Sequence, residues 1–312
     1  MSTYFFSLEE LLKLIREGKS FFLVEPVYDS RLNPLVGTEK VLTEKDIYRI
    51  QDRCPEIKNK KLHVKEAFLH YIEESKRIQW AAYAVSFVST YPLFAGLPHQ
   101  KKDFINKYLK AVIMDEDYLV WKLSQMKNFS KKLFEQSLLF SAVGLTLYHS
   151  YSISALQGMI DASYVHKLIQ GTLLMDVGLL KYNQQLVEAK RAGLPPEHAQ
   201  LLRDHAHDSA QLILSEKSRH QIEDSVIEAI ANHEEYIDGT GQPAGKKGAE
   251  LSEMSRFLSV VNYFTLLMTG ELTLAKKSCR ECFIKMKADK NHFDHRFYDL
   301  LEPTFRYLLT LS

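Results

Sequence analysis

The sequence has little cysteine and no excess of either charge. Three cysteines among 312 residues are an odd number and too few to frame a disulfide-stabilised fold, so we expect reduced thiols. Forty basic and thirty-nine acidic side chains leave a formal net charge of +1, which provides no long-range attraction to nucleic acid. The composition therefore argues against a disulfide-rich secreted domain and against a nucleic-acid partner.

Long hydrophobic runs are also missing. The most apolar stretch, residues 80–97, is interrupted by serine, threonine and Pro92 and is barely long enough to cross a bilayer. It predicts a buried helix that ends near Pro92. The first twenty residues turn charged and amphipathic, without the basic start and apolar stretch of a secretory signal. We therefore expect a cytoplasmic protein with no membrane span.

Cys279 and Cys282 form a CxxC pair, a spacing that can hold zinc or act in redox chemistry. No second CxxC and no spaced histidine pair accompanies them, and half a zinc site does not bind zinc. The surrounding apolar pattern is helical and places both sulfurs on one face. We expect helix packing here rather than a metal or redox site.

The first 65 residues predict a small α/β module. Ser7 and Glu10 have the S-x-x-E spacing of a capping box ahead of an amphipathic run, which indicates the start of a helix. β-Forming and turn-forming residues alternate in the segments that follow. The further elements expected in this module are strands over 21–28, 35–41 and 61–65 and a helix over 43–50.

From residue 66 onward, apolar residues recur at three- and four-residue steps, which is typical of helices. Prolines and glycines are expected to interrupt these helices. They are Pro92, Gly144, Pro195, Pro196 and Gly270. Residues 238–248 depart from the pattern, because DGTGQPAGKKG packs four glycines and a proline between two helical segments. Such density predicts a structured loop, and loops on helical scaffolds often carry function.

The loop is part of a longer segment, residues 231–267, that resembles the signature of HD-GYP domains, a branch of the HD metal-dependent phosphohydrolases. The family pattern is H-H-E-x-x-D-G-S-G-Y-P-x-G-L-x-G followed by a helix with A-R-I, and the two align without a gap. The positions that fit are Asp238, Gly239, Gly241, Pro243, Gly245, Gly248 and Arg256.

Three upstream segments extend the resemblance. GTLLMDVGLLKY stands where the family has A-L-L-H-D-I-G-K-I, LLRDHAHDSAQLI stands at the next helix, and LFEQSLLFSAVGLTL resembles the opening Y-E-H-S helix. The resemblance covers residues 129–312 well and 19–65 loosely. Together with the residue pattern, it predicts a mainly α fold, with an HD-GYP-like helical bundle over 129–312, a helical linker region over 66–128 and the small α/β module over 1–65.

Members of the HD-GYP family hold two or three iron or manganese ions between helices and cleave cyclic di-GMP by attack of water on a phosphodiester. The resemblance implies four metal ligands in this chain: Asp176, His205, His233 and Glu234. Three further ligand positions carry weaker donors: Gln136, Met175 and Asn262. We therefore expect one iron, manganese or zinc ion, or no ion, in which case a hydrogen-bonded polar network would remain.

An alternative alignment of the opening helix makes His149 the ligand in place of Gln136. The E-Q-S match and the apolar spacing of Leu138, Phe140 and Val143 favour Gln136. We therefore keep Gln136 as the degenerate ligand position.

Two groups of the family's catalytic apparatus are replaced. The lysine that follows the HD pair is Leu179 here, which removes a cation expected to meet the substrate phosphate and the developing charge. The tyrosine of the G-Y-P triplet is Gln242. Lys247, Arg256 and Asp238 remain as the predicted ligand-binding side chains of the loop region.

The resemblance implies a bacterial cyclic di-GMP signalling protein with a degenerate HD-GYP domain, a non-catalytic or weakly catalytic pseudoenzyme. It is expected to bind cyclic di-GMP or a related nucleotide, or a protein partner such as a diguanylate cyclase domain or another signalling protein. One alternative is a metal-dependent cyclic di-GMP phosphodiesterase with a reduced metal site. The other is a structural helical scaffold in which the module over residues 1–65 makes the functional contact.

Overall fold

The chain divides into two units, Met1–Tyr71 and Ile72–Ser312. The computed structural model describes residues 3–17, 19–30, 33–38, 42–57, 60–66, 74–217, 220–273 and 277–310. Among the helices of these ranges, none combines the length and the hydropathy that a bilayer crossing requires.

The first unit contains two small antiparallel sheets. Its described strands are β1 (Thr3–Phe6), β2 (Phe21–Leu23), β3 (Val27–Tyr28), β4 (Pro34–Val36) and β5 (Leu62–Glu66). The larger sheet has the order β1-β5-β2, and β3 pairs with β4. The strand expected over 21–28 is therefore divided, and it divides at Pro26, which cannot donate to a ladder. Of the strand expected over 35–41, the structure shows β4, which ends at Val36, and residues 39–41 lie outside the described ranges.

Two helices complete the first unit, α1 (Leu8–Arg16) and α2 (Glu44–Arg53). Each begins at a capping box. Ser7 and Glu10 exchange side-chain and backbone hydrogen bonds as the sequence predicts, and Thr43 and Asp46 do the same ahead of α2. The apolar faces of both helices share one core with the inward side chains of the strands. This confirms the predicted α/β character of the module.

The second unit is built of helices. They are α3 (Glu74–Thr90), α4 (His99–Asp115), α5 (Asp117–Phe129), α6 (Lys131–Ala155), α7 (Ala162–Leu174), α8 (Gln184–Glu188), α9 (Pro196–Leu202), α10 (His205–Ser215), α11 (Asp224–Ala231), α12 (Glu253–Thr269), α13 (Cys279–Ala288), α14 (His295–Tyr298) and α15 (Leu301–Phe305). Short 3-10 turns connect several of them. The prediction of a mainly α chain preceded by a small α/β module is confirmed.

Helix α6 passes through the middle of the second unit and packs against α3, α4, α5, α7 and α12. It runs unbroken through Gly144, so the interruption predicted at that glycine is wrong. A Cβ atom at Gly144 would lie 3.3 Å from Thr172 Cγ2 of α7 and 3.7 Å from Val261 Cγ2 of α12. The glycine allows three helices to approach closely, and this packing offsets the roughly 1 kcal/mol that glycine costs inside a helix.

The other predicted helix boundaries are observed. Helix α3 ends two residues before Pro92, and Pro195 and Pro196 stand at the start of α9. Gly270 ends α12 in the left-handed conformation, with φ of 80°. These residues act through backbone chemistry alone, which is why the sequence reveals them.

Of the two cysteines of α13, Cys282 is a packing residue. Cys282 is fully buried and donates its S–H to the Leu267 carbonyl at 3.6 Å, whereas Cys279 is partly exposed. Burial raises the pKa of the Cys282 thiol to about 11. Burial also raises the pKa of Cys54, which lies in the core of the first unit. Both buried thiols are therefore protonated and shielded at neutral pH.

We expect iodoacetamide at about pH 8 to modify Cys279 in the native chain and to leave Cys54 and Cys282 unmodified, because the thiolate is the reactive form. All three should react after unfolding. Peptide mass spectrometry locates the adducts, and Cys279→Ser should abolish labelling of the native chain. Rapid modification of native Cys282 would contradict this assignment.

Candidate metal centre

Four predicted ligand side chains meet in the second unit, although they come from three separate segments. Asp176 follows α7 and precedes the 3-10 turn Val177–Lys181, His205 begins α10, and His233 and Glu234 follow α11. The turn packs on α10, and α10 and α7 both pack on α11. The helix packing therefore brings residues that are far apart in sequence to one point.

Gly178 allows the closest of these approaches. A Cβ atom at this position would lie 2.4 Å from Ser209 N and 2.6 Å from His205 O, so no side chain fits between the turn and α10. The Gly178 N–H donates to Ser209 Oγ at 2.8 Å. The glycine directly after the Asp176–Val177 pair thus sets the distance between Asp176 and His205, a role that its place in the resemblance could have indicated.

The three innermost donor atoms lie close together. His205 Nε2 is 3.1 Å from Asp176 Oδ1 and 3.2 Å from His233 Nε2, and His233 Nε2 is 3.4 Å from Asp176 Oδ1. Their side chains are at most 1% exposed. All three belong to the group of metal-ligating side chains that converges within the described part of the chain.

The backbone determines which nitrogen of each imidazole faces the cluster. His205 Nδ1 lies 2.7 Å from the Leu202 carbonyl, and His233 Nδ1 lies 2.8 Å from the Ile230 carbonyl. A carbonyl oxygen can only accept, so both Nδ1 atoms donate, and in the neutral rings both Nε2 atoms carry lone pairs. This is the orientation in which protein histidines bind metals.

The spacing of these atoms fits one divalent ion. Bonds of about 2.1 Å at octahedral or tetrahedral angles place neighbouring donors about 3.0–3.4 Å apart, and the three separations here lie in that range. Imidazole and carboxylate are donors that iron, manganese and zinc accept. Asp176, His205 and His233 could therefore hold such an ion, with Glu234 as a neighbouring oxygen donor.

Glu234 adjoins the cluster and is paired with an arginine. Its Oε1 lies 3.6 Å from His205 Nε2 and accepts a hydrogen bond from Arg191 Nη1 at 2.6 Å. Arg191 Nη2 lies 3.3 Å from Asp176 Oδ2. Arg191 stands in the 3-10 turn Arg191–Gly193, and nothing in the spacing or type of its neighbours in the sequence indicates a place beside the ligands.

The electrostatics keep both carboxylates ionised. Burial raises the pKa of the Asp176 carboxyl, but the Arg191 guanidinium and the neighbouring His205 and His233 together outweigh burial and hold this pKa well below its usual range. Burial likewise raises the pKa of Glu234, and the nearby His205 and Arg191 charges reverse that effect, so its pKa is lowered. Burial lowers the pKa of His205, but Glu234 and Asp176 outweigh it and raise the pKa. Without a metal ion, His205 is thus the group best placed to carry a proton.

The three degenerate ligand positions are buried. Met175 is fully buried, and Gln136 and Asn262 are 8% and 4% exposed. Gln136 Nε2 and Asn262 Oδ1 have no hydrogen-bond partner among the described residues. No hydrogen bond in the described ranges joins these amides to the four-residue cluster. His149, the alternative ligand, packs edge to face against Phe104 of α4.

The predicted ligand-binding residues of the loop and of α12 contact side chains and backbone outside the cluster. Asp238 accepts hydrogen bonds from the backbone and hydroxyl of Thr240 and contacts His292 Nδ1 at 2.9 Å. Arg256 forms an ion pair with Asp294 at 3.1 Å, and the exposed Lys247 lies over the backbone of Gly239. No hydrogen bond or ion pair in the described ranges links Asp238, Lys247 or Arg256 to the four-residue cluster.

Glu235 holds the loop against the ligand segment. This carboxylate is fully buried and accepts hydrogen bonds from the N–H groups of Ala244, Gly245 and Lys246 at 2.6–3.1 Å. A Cβ atom at Gly241 would lie 2.3 Å from Tyr236 N, so only glycine fits there. Glu235 is not among the residues predicted from the sequence, although it stands at the glutamate of the family's H-H-E triplet.

Leu179 and Gln242 show no catalytic group at their positions. Leu179 is 4% exposed and packs as an apolar side chain, and Gln242 donates its backbone N–H to the Glu234 carbonyl at 2.9 Å. The Gln242 amide is half-buried. The structure thus contains the imidazole and carboxylate donors without the lysine and tyrosine of the family pattern.

Comparisons with known proteins place the site in a family. Residues 146–297 match the family model described as HD domain, and this range contains all four residues of the cluster. No curated protein matches the chain. Among solved structures, the chain is similar to Bd1817, described as an HDG"Y"P protein from Bdellovibrio bacteriovorus, with 17% identity over 92% of this chain and 94% of that chain and a TM-score of 0.48. At this TM-score the likeness says nothing about function. The predicted membership in the HD superfamily is confirmed by the family match: residues 146–297 form an HD domain that carries Asp176, His205, His233 and Glu234.

Proposed function

We propose that the HD domain is a signalling module that binds cyclic di-GMP or a related cyclic nucleotide at a one-ion centre and hydrolyses it weakly or not at all. The observation that carries this proposal is the convergence of Asp176 Oδ1, His205 Nε2 and His233 Nε2 within 3.4 Å. Three acceptor atoms at this spacing in a buried site are stabilised by a cation, either a metal ion or a proton on an imidazole. The HD-GYP-like loop sequence over residues 231–267 supports the nucleotide class.

An ion bound here would supply a Lewis acid for a phosphate oxygen and would acidify a bound water. The chain's own residues orient the donor atoms and attract the ion. The Leu202 and Ile230 carbonyls hold both imidazoles in the orientation that binds an ion. Asp176 and Glu234 stay ionised and attract the ion, because their pKa values are lowered.

Two replaced residues, Leu179 and Met175, explain why hydrolysis is expected to be weak. Phosphodiester cleavage develops negative charge, and a preorganised cation beside the phosphate stabilises it. The buried alkyl group of Leu179 supplies no such charge, and the thioether of Met175 is a poor donor for iron or manganese. The site therefore retains the groups that bind one ion and lacks the cation that the family lysine would place beside the phosphate.

The proposal keeps Lys247, Arg256 and Asp238 as the side chains that would contact the ligand. Lys247 is exposed on the loop. Arg256 is 26% exposed, and its partner Asp294 is also bound by Arg296 at 2.8 Å, so Arg256 can turn to a phosphate without leaving Asp294 unpaired. A protein partner such as a diguanylate cyclase domain would meet this same exposed loop.

We expect protein purified without chelator to contain about one equivalent of iron, manganese or zinc per chain. Asp176→Asn and His233→Ala should each lower the content at least about tenfold, since each removes one of three converging donors. Elemental analysis by mass spectrometry measures it. His207→Ala is the matched control, because His207 is exposed on α10 two residues from His205 and should leave the content unchanged. Wild-type protein without stoichiometric metal would contradict the one-ion centre.

Titration calorimetry should detect binding of cyclic di-GMP to the metal-loaded chain, and Arg256→Ala should weaken it about tenfold, in the range of one lost charge-assisted contact. Arg306→Ala is the control, since Arg306 is an exposed arginine paired with Glu302 in its own turn. Turnover to linear dinucleotide with added Mn²⁺ should stay near the rate without protein. Fast hydrolysis would contradict the degenerate site, and no binding at high nucleotide concentration would contradict the nucleotide assignment.

A further inference from the structure

Asp176 uses its two carboxylate oxygens for different neighbours. Oδ1 faces His205 and His233 at 3.1 Å and 3.4 Å, and Oδ2 lies 3.3 Å from Arg191 Nη2. A carboxylate that bridges two cations offers one oxygen to each. In this chain the Arg191 guanidinium contacts the second oxygen of Asp176. The same guanidinium donates a hydrogen bond to Glu234 Oε1 at 2.6 Å.

The charge of the cluster allows one divalent ion. Asp176 and Glu234 contribute two negative charges, the neutral imidazoles contribute none, and Arg191 contributes one positive charge, because arginine stays protonated in proteins. One divalent ion brings the group to a single positive charge. A second would leave three positive charges in a site where Asp176, His205 and His233 are at most 1% exposed, and burial of such an excess is strongly unfavourable.

An ion pair between Lys132 and Glu271 holds the segment that carries Arg191. Lys132 of α6 donates to the carbonyls of residues 187–189 at 2.9–3.4 Å and to Glu271 Oε2 at 2.8 Å. The Glu271 carbonyl accepts from the backbone N–H of Ala192 at 2.9 Å. Lys132 and Glu271 therefore anchor the segment on both sides of Arg191, and the Arg191 side chain is 18% exposed. The arginine is built into the site and is not a surface side chain folded over it.

We propose that Arg191 is a built-in counter-cation that stands in place of a second metal ion and limits the centre to one divalent ion. The inference rests on the one-ion centre of the proposed function and adds the residue that sets its stoichiometry. Lys132 and Glu271 are positioning residues for Arg191. A second metal ion could supply this positive charge. In this chain the Arg191 side chain supplies it.

Calorimetric titration of the metal-free full chain with Mn²⁺ tests this role without any measurement of activity. The wild type should bind one ion. Arg191→Gln removes the charge and should either admit a second ion or bind the first at least about tenfold more tightly, since the Coulomb repulsion from a neighbouring cation is lost. Arg191→Lys retains the charge and should still bind one ion and no second, although lysine cannot contact both carboxylates through a fixed fork.

Lys181→Gln is the matched control. Lys181 pairs with Asp208 at 2.8 Å, is 44% exposed, and lies on the turn that follows Asp176. Its removal takes one positive charge from the same domain outside the cluster. Solvent screens that charge, so the affinity for Mn²⁺ should change by less than about twofold.

The outcomes separate this inference from the proposed function. A wild type that binds no Mn²⁺ overturns the one-ion centre, whereas a wild type with one ion and an unchanged Arg191→Gln variant overturns the counter-cation role. If Arg191→Gln is unstable without metal, thermal unfolding decides, because a ligand of the native state raises its stability. A larger rise with millimolar Mn²⁺ than in the wild type supports the role, and instability that Mn²⁺ does not relieve overturns it.

Discussion

Repulsion among three lone pairs in a buried site is the constraint on which this structure depends. Two histidines donate from Nδ1 to backbone carbonyls, so their Nε2 atoms face Asp176 Oδ1 and each other within 3.4 Å. Such an arrangement persists only if a cation neutralises it, either a metal ion or a proton on an imidazole. The elements that carry the donors pack on one another, and this packing brings the three atoms within 3.4 Å of each other.

Two residues, Gly178 and Glu235, fix that geometry. Gly178 lets the turn after Asp176 lie directly on α10, which fixes one carboxylate against His205. Glu235 ties the glycine-rich loop to the segment that carries His233 and Glu234, because its buried carboxylate accepts three backbone N–H groups. Gly178 and Glu235 each lie within two residues of a predicted ligand in the sequence, and both act through contacts with backbone atoms. They therefore hold the ligand atoms in place without contributing a donor, which is how supporting residues preorganise a site.

The donors that remain and the groups that are replaced together suggest a binding module. Carboxylate and imidazole persist where one ion is held, whereas an alkyl group, a thioether and two amides stand at the positions of a lysine and further ligands in the family pattern. Arg191 supplies positive charge to the same carboxylates from a different part of the chain. These replacements are the basis of the proposal that the site binds a phosphate ester near an ion and cleaves it weakly.

The sequence by itself determined the features that depend on local backbone chemistry: the capping box at Ser7, the start of α2 after Thr43, the helix ends at Pro92 and Gly270, and the loop over residues 238–248. The four-residue donor set followed from a resemblance, and the helix packing brings those donors together. Only the tertiary structure decided that α6 continues through Gly144 and that Arg191 reaches the cluster. Arg191 lies 15 residues from Asp176 and 43 from Glu234, and no local pattern encodes a contact across such distances. These outcomes depend on how helices pack, since close approach and charge balance arise only after distant segments meet.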